Sequence, residues 1–455
     1  MSVIVDPGIF KAYDVRAIYP TQINGEVARR VGRAFIDYLG GAPKRIAVGR
    51  DVRLSSPEIA GSFIEGARSE GAEITDIGVV GTDMMYFHVA SRDLDGGAII
   101  TASHNPKEYN GIKMVRRGAL ALSGDAGIKE IKEAIGAGRF ADKGTREGKV
   151  VSRTISDEYA EHCLKFIDVA KVPRIKAVLD TGNGMGAIGA TALFKRLPID
   201  LVKMYFDLDG TFPNHPPDPL EEANRREIME RVAAEGAQIG MAWDGDADRC
   251  FFVDDTGEFV PGDFATAIFA EAVLGREPGA KVIYDVRASW AVPETIESRG
   301  GVPLMNRVGH AFIKQRMREE GAAFAGEVSG HYYFRGFTQA DSGVIPFLLM
   351  LERISTDGRK LSEILRPFRE RYFITGELNT PVPDVDAKLR EIEERFGPEG
   401  RVSHLDGVSV GADDWHMNVR PSNTEPLLRL NLEARTPELM ERKRDEVLAV
   451  IRGDD

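Results

Sequence analysis

Val27, Val31, Phe35 and Leu39 recur every four residues, and Gly40-Gly41 ends the series. That is one apolar face of an α-helix with a glycine stop. Arg45-Ile46-Ala47-Val48-Gly49 reads as a strand. Ser56-Pro57 then starts a helix in the order of cap and first-turn proline, with Ile59 and Phe63 on one face. A strand near residues 74–80 and a short helix lead to the apolar run Gly96-Gly97-Ala98-Ile99-Ile100, read as a buried strand. Strands alternating with helices predict a layered α/β domain with a largely parallel sheet.

The pattern then restarts twice. A charged helix and a Gly/Lys-rich connection fill residues 125–150, and a helix at about 156–168 precedes the strand Ile175-Lys176-Ala177-Val178-Leu179-Asp180. Helices near 187–194 and 221–235 flank a Pro-rich connection at 212–217, and the strand Gln238-Ile239-Gly240-Met241-Ala242 follows. The third block has helices at about 262–274, from 290, and at 310–319, with strands at 281–285 and 302–306. No letter-by-letter repeat relates the blocks. From about residue 370 the texture changes to a helix at 385–396, short alternating strands at 407–433 and a helix at 437–451, a small α+β domain. The expected domains are 1–152, 153–253, 254–369 and 370–455.

The chain length of 455 residues agrees with several domains. The net charge of −12 argues against nonspecific binding to nucleic acid or acidic membranes, while a local Arg/Lys cluster can still take an anion. Two cysteines, Cys163 and Cys250, give neither a disulfide framework nor a Cys-rich metal site. The start MSVIVDPGIF lacks the basic region of a signal peptide, and no apolar run is long enough for a membrane span. A cytoplasmic enzyme is the expectation.

Four loops carry candidate chemistry. In Thr101-Ala102-Ser103-His104-Asn105-Pro106, a hydroxyl, an imidazole and an amide precede a proline that fixes the backbone. The loop stands at the end of a strand, where α/β proteins place ligands. Asp244-Gly245-Asp246-Ala247-Asp248-Arg249 sets three carboxylates at alternate positions, able to converge on one hard cation, Mg²⁺ or Ca²⁺. An EF-hand would need Gly where Arg249 stands and Glu where Asp255 stands. A solvated acidic loop is the bland alternative. Gly326-Glu327-Val328-Ser329-Gly330-His331 offers groups that suit sugar hydroxyls. Arg420-Pro421-Ser422-Asn423-Thr424-Glu425-Pro426 offers a guanidinium fork and donors for a phosphate. Each loop taken alone also reads as an ordinary polar turn. Gly184-x-Gly186-x-x-Gly189 fits a dinucleotide fingerprint, with Asp207 and Asp209 downstream. Close packing of helix on strand explains those glycines better, since a dinucleotide site would leave the acidic triplet and the Ser103 loop without a role.

In this order the four loops resemble the α-D-phosphohexomutase family, most closely its bacterial phosphomannomutase/phosphoglucomutase branch, and the resemblance spans the whole chain. It implies four domains around a central cleft: three mixed α/β domains and a smaller C-terminal α+β domain like the TATA-binding protein. It implies Ser103 as the phosphorylated serine, with His104 beside it in the catalytic loop. One Mg²⁺ ion would be held by Asp244, Asp246, Asp248 and the phosphoserine oxygen of Ser103. Glu327, Ser329 and His331 match the sugar-reading loop, and Arg420, Ser422, Asn423 and Thr424 the loop for the phosphate not being transferred. Tyr13 and Arg16 match the family's N-terminal segment, and Lys113 and His310 match positions with acid/base or substrate roles. Arg249 and Arg287 match further basic residues. Lys11 and Ala17 depart from the family's Arg and Gly.

The implied reaction interconverts hexose 1-phosphate and hexose 6-phosphate through a phosphoserine enzyme and a hexose 1,6-bisphosphate. Glu-x-Ser-Gly-His is similar to the branch handling mannose and glucose phosphates. Phosphoglucosamine mutases have Gln before the Ser, where this chain has Val328. The implied partner is a small hexose phosphate, not nucleic acid or membrane, with the protein a monomer or weak homo-oligomer. An NAD-dependent oxidoreductase using the 184–189 glycines and a noncatalytic sugar-phosphate binder are the readings from other classes.

Overall fold

The computed structural model describes residues 5–41, 44–124, 126–138, 147–422 and 427–453. Asn423 and Thr424, and the connection at 139–146, lie outside the described residues. The chain forms two compact units. One runs to Phe259 and takes back His331–Gly358; the other is Val260–Gly330 with the chain from Arg359 onward.

In the first unit, strands Gly96–Ile100, Arg45–Arg50, Glu73–Val79 and Val150–Ser152 lie parallel in that order. The 101–108 loop is too short for the crossover a parallel neighbour requires. Tyr109–Arg116 therefore returns antiparallel, which sets Lys113 opposite Ile99. Val15–Ile18 pairs antiparallel beyond it, with Arg16 opposite Gly111. The second sheet repeats the device. Ile239–Trp243 and Ile199–Met204 lie parallel to Ile175–Asp180, and Cys250–Val253 returns antiparallel across the acidic loop. Both loops thus stand at the C-terminal end of a fully buried strand, followed by a tight return. Alternation alone predicted the parallel strands and missed the returns, because these depend on connection length.

The local elements follow the residue pattern. Asn24 accepts a hydrogen bond from Val27 N to cap the helix Gly25–Tyr38, which buries Val27, Val31 and Phe35. Ser55, rather than Ser56, precedes the helix Ser56–Ser69, and the Ser56 hydroxyl donates to Asp51 instead. The helix expected to reach 168 ends at Leu164, because Asp168 turns its carboxylate onto Ala170 N and opens a short 3-10 turn. The returning segment of this unit adds the hairpin Tyr332–Phe334 with Ala340–Asp341 and the apolar helix Ile345–Asp357.

In the second unit, Val302–Asn306, Lys281–Asp285 and Phe324–Gly326 lie parallel beside the helices Gly262–Arg276, Ala291–Ser298 and His310–Glu320. An antiparallel sheet follows in the order Phe373–Pro381, Leu427–Ala434, Trp415–Pro421, Val408–Gly411, Arg401–Ser403. Its core, including Val410, Trp415, Val419 and Leu430, packs with Ile392 and Phe396 of Val385–Phe396 and with Val447 and Ile451 of Pro437–Arg452. A register shift between Ile374 and Glu377 interrupts the first strand, the kind of bulge that re-aims a side chain. Both cysteines are buried and free, and among the described residues no helix is long and apolar enough to cross a membrane.

Two glycines of one helix should respond oppositely to alanine. A methyl at Gly66 would run into the Arg29 carbonyl oxygen, whereas one at the exposed Gly61 would meet nothing within 4 Å. Gly66→Ala is expected to cost roughly 1–3 kcal/mol by overpacking. Gly61→Ala is expected to gain about 0.5–1 kcal/mol of helix stability. Thermal unfolding of the two variants measures both signs.

Candidate active site

Ser103 follows the strand Gly96–Ile100 with a left-handed φ of 51°, a conformation costing on the order of 1–3 kcal/mol for a non-glycine residue. Its N–H donates to Thr101 Oγ1 at 2.9 Å and its hydroxyl to Asp244 Oδ2 at 2.6 Å. Ser103 Oγ also lies 3.2 Å from His104 Nδ1. Burial, then the charges of Arg249 and Arg16, hold the His104 imidazole well below its ordinary pKa. Arg16 donates to Asn105 Oδ1 and Asp14 Oδ2, which ties the N-terminal strand to this loop. Tyr13 sits half-buried just ahead of that strand.

The acidic loop meets the Ser103 loop backbone to backbone. A side chain at Gly245 would come within 2.5 Å of the Ser103 carbonyl oxygen, so this approach requires glycine. Asp244, Asp246 and Asp248 are all buried, with one oxygen of each within 4.8 Å of the others. Lys113 Nζ donates to Asp246 Oδ2 and Asp248 Oδ2, both at 2.6 Å. Thr82 donates its hydroxyl to Asp246 Oδ2 at 2.6 Å and its N–H to the Asp246 carbonyl at 2.9 Å.

The electrostatics follow from that crowding. Burial, and then Asp246 and Asp248, push the Asp244 carboxyl well above its usual range. Burial and Asp248 act the same way on Asp246, but Lys113 and Thr82 outweigh them and leave it below its ordinary value. Asp246 Oδ1 is buried with no hydrogen-bond partner. An orphaned carboxylate oxygen in an all-oxygen donor set fits a hard divalent cation. Burial alone would lower the Lys113 pKa; Asp246 and Asp248 reverse this and hold the ammonium charged. Arg249 N donates to Asp244 Oδ1 at 3.2 Å, and Arg249 Nε to His331 Nε2 at 3.2 Å. Asp248, His331 and Asp341 converge within the same 4.8 Å limit.

The second unit gathers a different set. Arg287 makes a two-pronged pair with Asp285, Nε to Oδ1 at 2.9 Å and Nη2 to Oδ2 at 2.8 Å. Glu377, just past the bulge, accepts from Arg287 Nη1 at 3.1 Å, Arg420 Nη2 at 3.0 Å and Arg429 Nη1 at 2.7 Å. Burial opposes its charge, but these three guanidiniums pull its pKa down to about 2. Arg429 Nη2 also reaches Ser422 Oγ at 3.4 Å. The Nε atoms of Arg420 and Arg429 are buried without a partner. Asp285 Oδ2 accepts from Val328 N at 3.0 Å, and Glu327 Oε1 from Gly309 N at 3.1 Å. Those bonds connect the Glu327–Ser329 loop to Arg287 and to the first turn of the helix that begins at His310. Ser329 is half-buried in that loop.

Among the expected residues, Ser103, His104, Lys113, Asp244, Asp246, Asp248, Arg249, His331 and Arg16 thus come together in the first unit. Arg287, Glu327, Arg420 and Ser422 do so in the second. Sequence reasoning passed over Arg53, Thr82, Glu377 and Arg429. The charged pair Asp51 and Arg53 directly after an apolar strand was the available signal for the first. Nothing local marks the others. The close packing expected of the 184–189 glycines, rather than the dinucleotide alternative, matches the surroundings of Gly184 and Gly186. A side chain at Gly184 would lie 2.7 Å from the Gly245 carbonyl and one at Gly186 3.0 Å from the Trp243 ring, while Met185 N already donates to Gly245 O. Protein backbone and the Trp243 ring are what these glycines approach.

Comparison with known proteins shows the family. The phosphoglucomutase/phosphomannomutase models for α/β/α domains I, II and III match residues 7–142, 157–257 and 261–372, and the model for the C-terminal domain matches 377–450. A curated phosphohexose mutase of Xanthomonas campestris pv. campestris (strain B100) is 40% identical over 98% of this chain and 99% of its own length. A phosphomannomutase of Salmonella montevideo is 39% identical over 97% of this chain and 98% of its own. The crystal structure of a phosphoglucomutase/phosphomannomutase family protein from Burkholderia thailandensis superposes with a TM-score of 0.89 at 33% identity, covering 99% of this chain and 98% of that one. The chain belongs to the phosphoglucomutase/phosphomannomutase family. It is a phosphohexomutase, an isomerase that moves a phosphoryl group on a sugar phosphate.

The Glu377 cluster makes a pH prediction. Its carboxyl falls from an ordinary 4.5 to about 2 on folding, so it stabilises the fold above about 4.5 and loses that contribution as pH falls toward about 2. Glu377→Gln should lower the thermal midpoint at pH 7. The gap from the native protein should narrow as pH falls through that window, as a pH series of melting curves would record.

Proposed function

We propose that this phosphohexomutase interconverts the 1- and 6-phosphates of mannose and glucose, with Ser103 as the phosphoryl carrier. One observation carries the reading: the Ser103 hydroxyl, in a left-handed turn, donates to Asp244 at 2.6 Å beside two further carboxylates and Lys113. A divalent cation, Mg²⁺ by its oxygen donors, would be held by Asp244, Asp246, Asp248 and an oxygen of the Ser103 phosphate, and would neutralise charge on the group in transfer.

With a phosphoryl group on Ser103, a free hydroxyl of a hexose 1-phosphate attacks phosphorus. The new sugar O–P bond forms as the Ser103 Oγ–P bond breaks, and the hydroxyl proton passes to a base. The resulting hexose 1,6-bisphosphate turns end for end and returns its other phosphoryl group to Ser103, which leaves the 6-phosphate. Such transfer depends mainly on positioning and charge. Arg249 and Lys113 supply positive charge at the reacting group. Lys113 is a donor to two carboxylates, so it serves as a base only after leaving them; His310 is the other candidate. Arg287, Arg420 and Ser422, with Asn423 and Thr424, hold the phosphate that is not reacting, through forked guanidinium bonds. Glu327, Ser329 and His331 read the sugar hydroxyls, and Tyr13 and Arg16 complete the N-terminal side. We place the domain seams near residues 152, 253 and 369.

Two variants test the reading. Ser103→Ala should abolish conversion of mannose 1-phosphate and glucose 1-phosphate by roughly a thousandfold or more, with the melting curve retained. Conversion of glucosamine 1-phosphate faster than either would point to the phosphoglucosamine alternative. Asp246→Asn should weaken Mn²⁺ binding, read from the electron-spin signal of free Mn²⁺, by at least about tenfold. Unchanged affinity would take Asp246 out of the metal site.

A further inference from the structure

We propose that Arg53 is the positioning residue that holds the Ser103 loop in its reactive shape; this rests on Ser103 being the phosphoryl carrier. Arg53 stands three residues past the strand Arg45–Arg50, whose last residue pairs with Ile100 at the base of the loop. Arg53 is 1% exposed, and each of its five guanidinium N–H groups has an acceptor. Nη2 donates to the carbonyl oxygens of Ser103 at 2.7 Å and Asn105 at 2.6 Å. Nη1 donates to those of Pro106 at 2.7 Å and Tyr109 at 3.0 Å. Nε donates to Asp51 Oδ2 at 3.1 Å. The 103–109 turn therefore directs four carbonyls at one point, and a single planar cation satisfies all of them.

That geometry bears directly on Ser103. Its left-handed φ is unfavourable unless the peptide planes on both sides are held. Thr101 Oγ1 holds the plane before it through Ser103 N, and Arg53 Nη2 holds the plane after it through Ser103 O. With both fixed, the Ser103 hydroxyl is left aimed at Asp244. The clamp is itself anchored. Asp51 accepts from Arg53 N at 3.0 Å and from Ser56 Oγ at 2.5 Å, and Asn110 Nδ2 donates to the hydroxyls of Ser55 and Ser56. The Phe212 ring lies 5.2 Å from the guanidinium carbon. A buried group whose donors are all used does not touch substrate, so its effect on the reaction passes through Ser103. Lysine keeps the charge but directs three donors from one atom, and cannot span four carbonyls.

The test follows Ser103 phosphorylation in a single turnover with hexose 1,6-bisphosphate, by intact mass, alongside steady-state kinetics. In Arg53→Lys, phosphorylation and kcat should both fall by about ten- to a hundredfold, while KM for hexose 1-phosphate stays within about threefold, because the phosphate-binding arginines are untouched. In Arg53→Ala, added guanidinium ion at millimolar levels should restore kcat saturably, and methylammonium should not. Native phosphorylation rate and kcat in Arg53→Lys would overturn the proposal, as would a folded Arg53→Ala whose lost kcat guanidinium leaves unrestored. Should Arg53→Ala fail to fold, Arg53→Lys decides alone. A native protein that never takes phosphate on Ser103 would overturn the carrier reading, and the same spectra report that before any variant is made.

Discussion

Three buried carboxylates within reach of one another are the constraint on which the first unit is organised. Left alone they repel, and burial raises the cost of each charge. Everything packed around them offsets that cost. Lys113 bridges two of them from the antiparallel return strand, Arg249 faces the third from the same loop, and Thr82 supplies a hydroxyl and an N–H from the first turn of its helix. The Ser103 hydroxyl donates the remaining short bond. Charge balance is still incomplete, as the orphaned Asp246 oxygen and the raised Asp244 pKa record. An all-oxygen site in that condition suits a hard divalent cation.

The second unit solves the opposite problem. Three guanidiniums crowd one another, and Glu377 is the anion that keeps them gathered. Asp285 takes two further donors of Arg287 and fixes the plane of its fork. The bulge before Glu377 places that carboxylate, so an irregularity in one strand sets the geometry of the guanidinium cluster. Both clusters therefore use counter-charges to hold their groups in place, and preorganisation is what phosphoryl transfer draws on.

Much of this was legible in the sequence because it is local. The apolar runs ending at Ile100 and Trp243 are short and uninterrupted, and the loops after them are dense in functional groups. The alternating aspartates pointed to a cation by spacing, whereas Ser103 was singled out by its loop after a buried strand and took its role from the family resemblance. Partners that meet across long stretches of chain could not. Arg53 lies 50 residues from Ser103, and Thr82 lies 164 from Asp246. Glu377 is an ordinary surface-type residue until the sheet brings Arg429 and Arg420 to it. The antiparallel returns escaped for another reason, since alternation of strand and helix predicts parallel neighbours and a return depends on the length of one connection. The 184–189 glycines match a fingerprint that records only that a backbone approaches something closely. Here it approaches the acidic loop.

The central claim is that the Ser103 hydroxyl carries the phosphoryl group between the two ends of the sugar. Protein labelled with radioactive phosphate on Ser103, mixed with unlabelled glucose 1-phosphate and sampled within one turnover, tests it most directly. The account predicts that label leaves the protein and appears first in hexose 1,6-bisphosphate, before any labelled monophosphate. Label that stays on Ser103 while glucose 1-phosphate is converted to the 6-phosphate would contradict it.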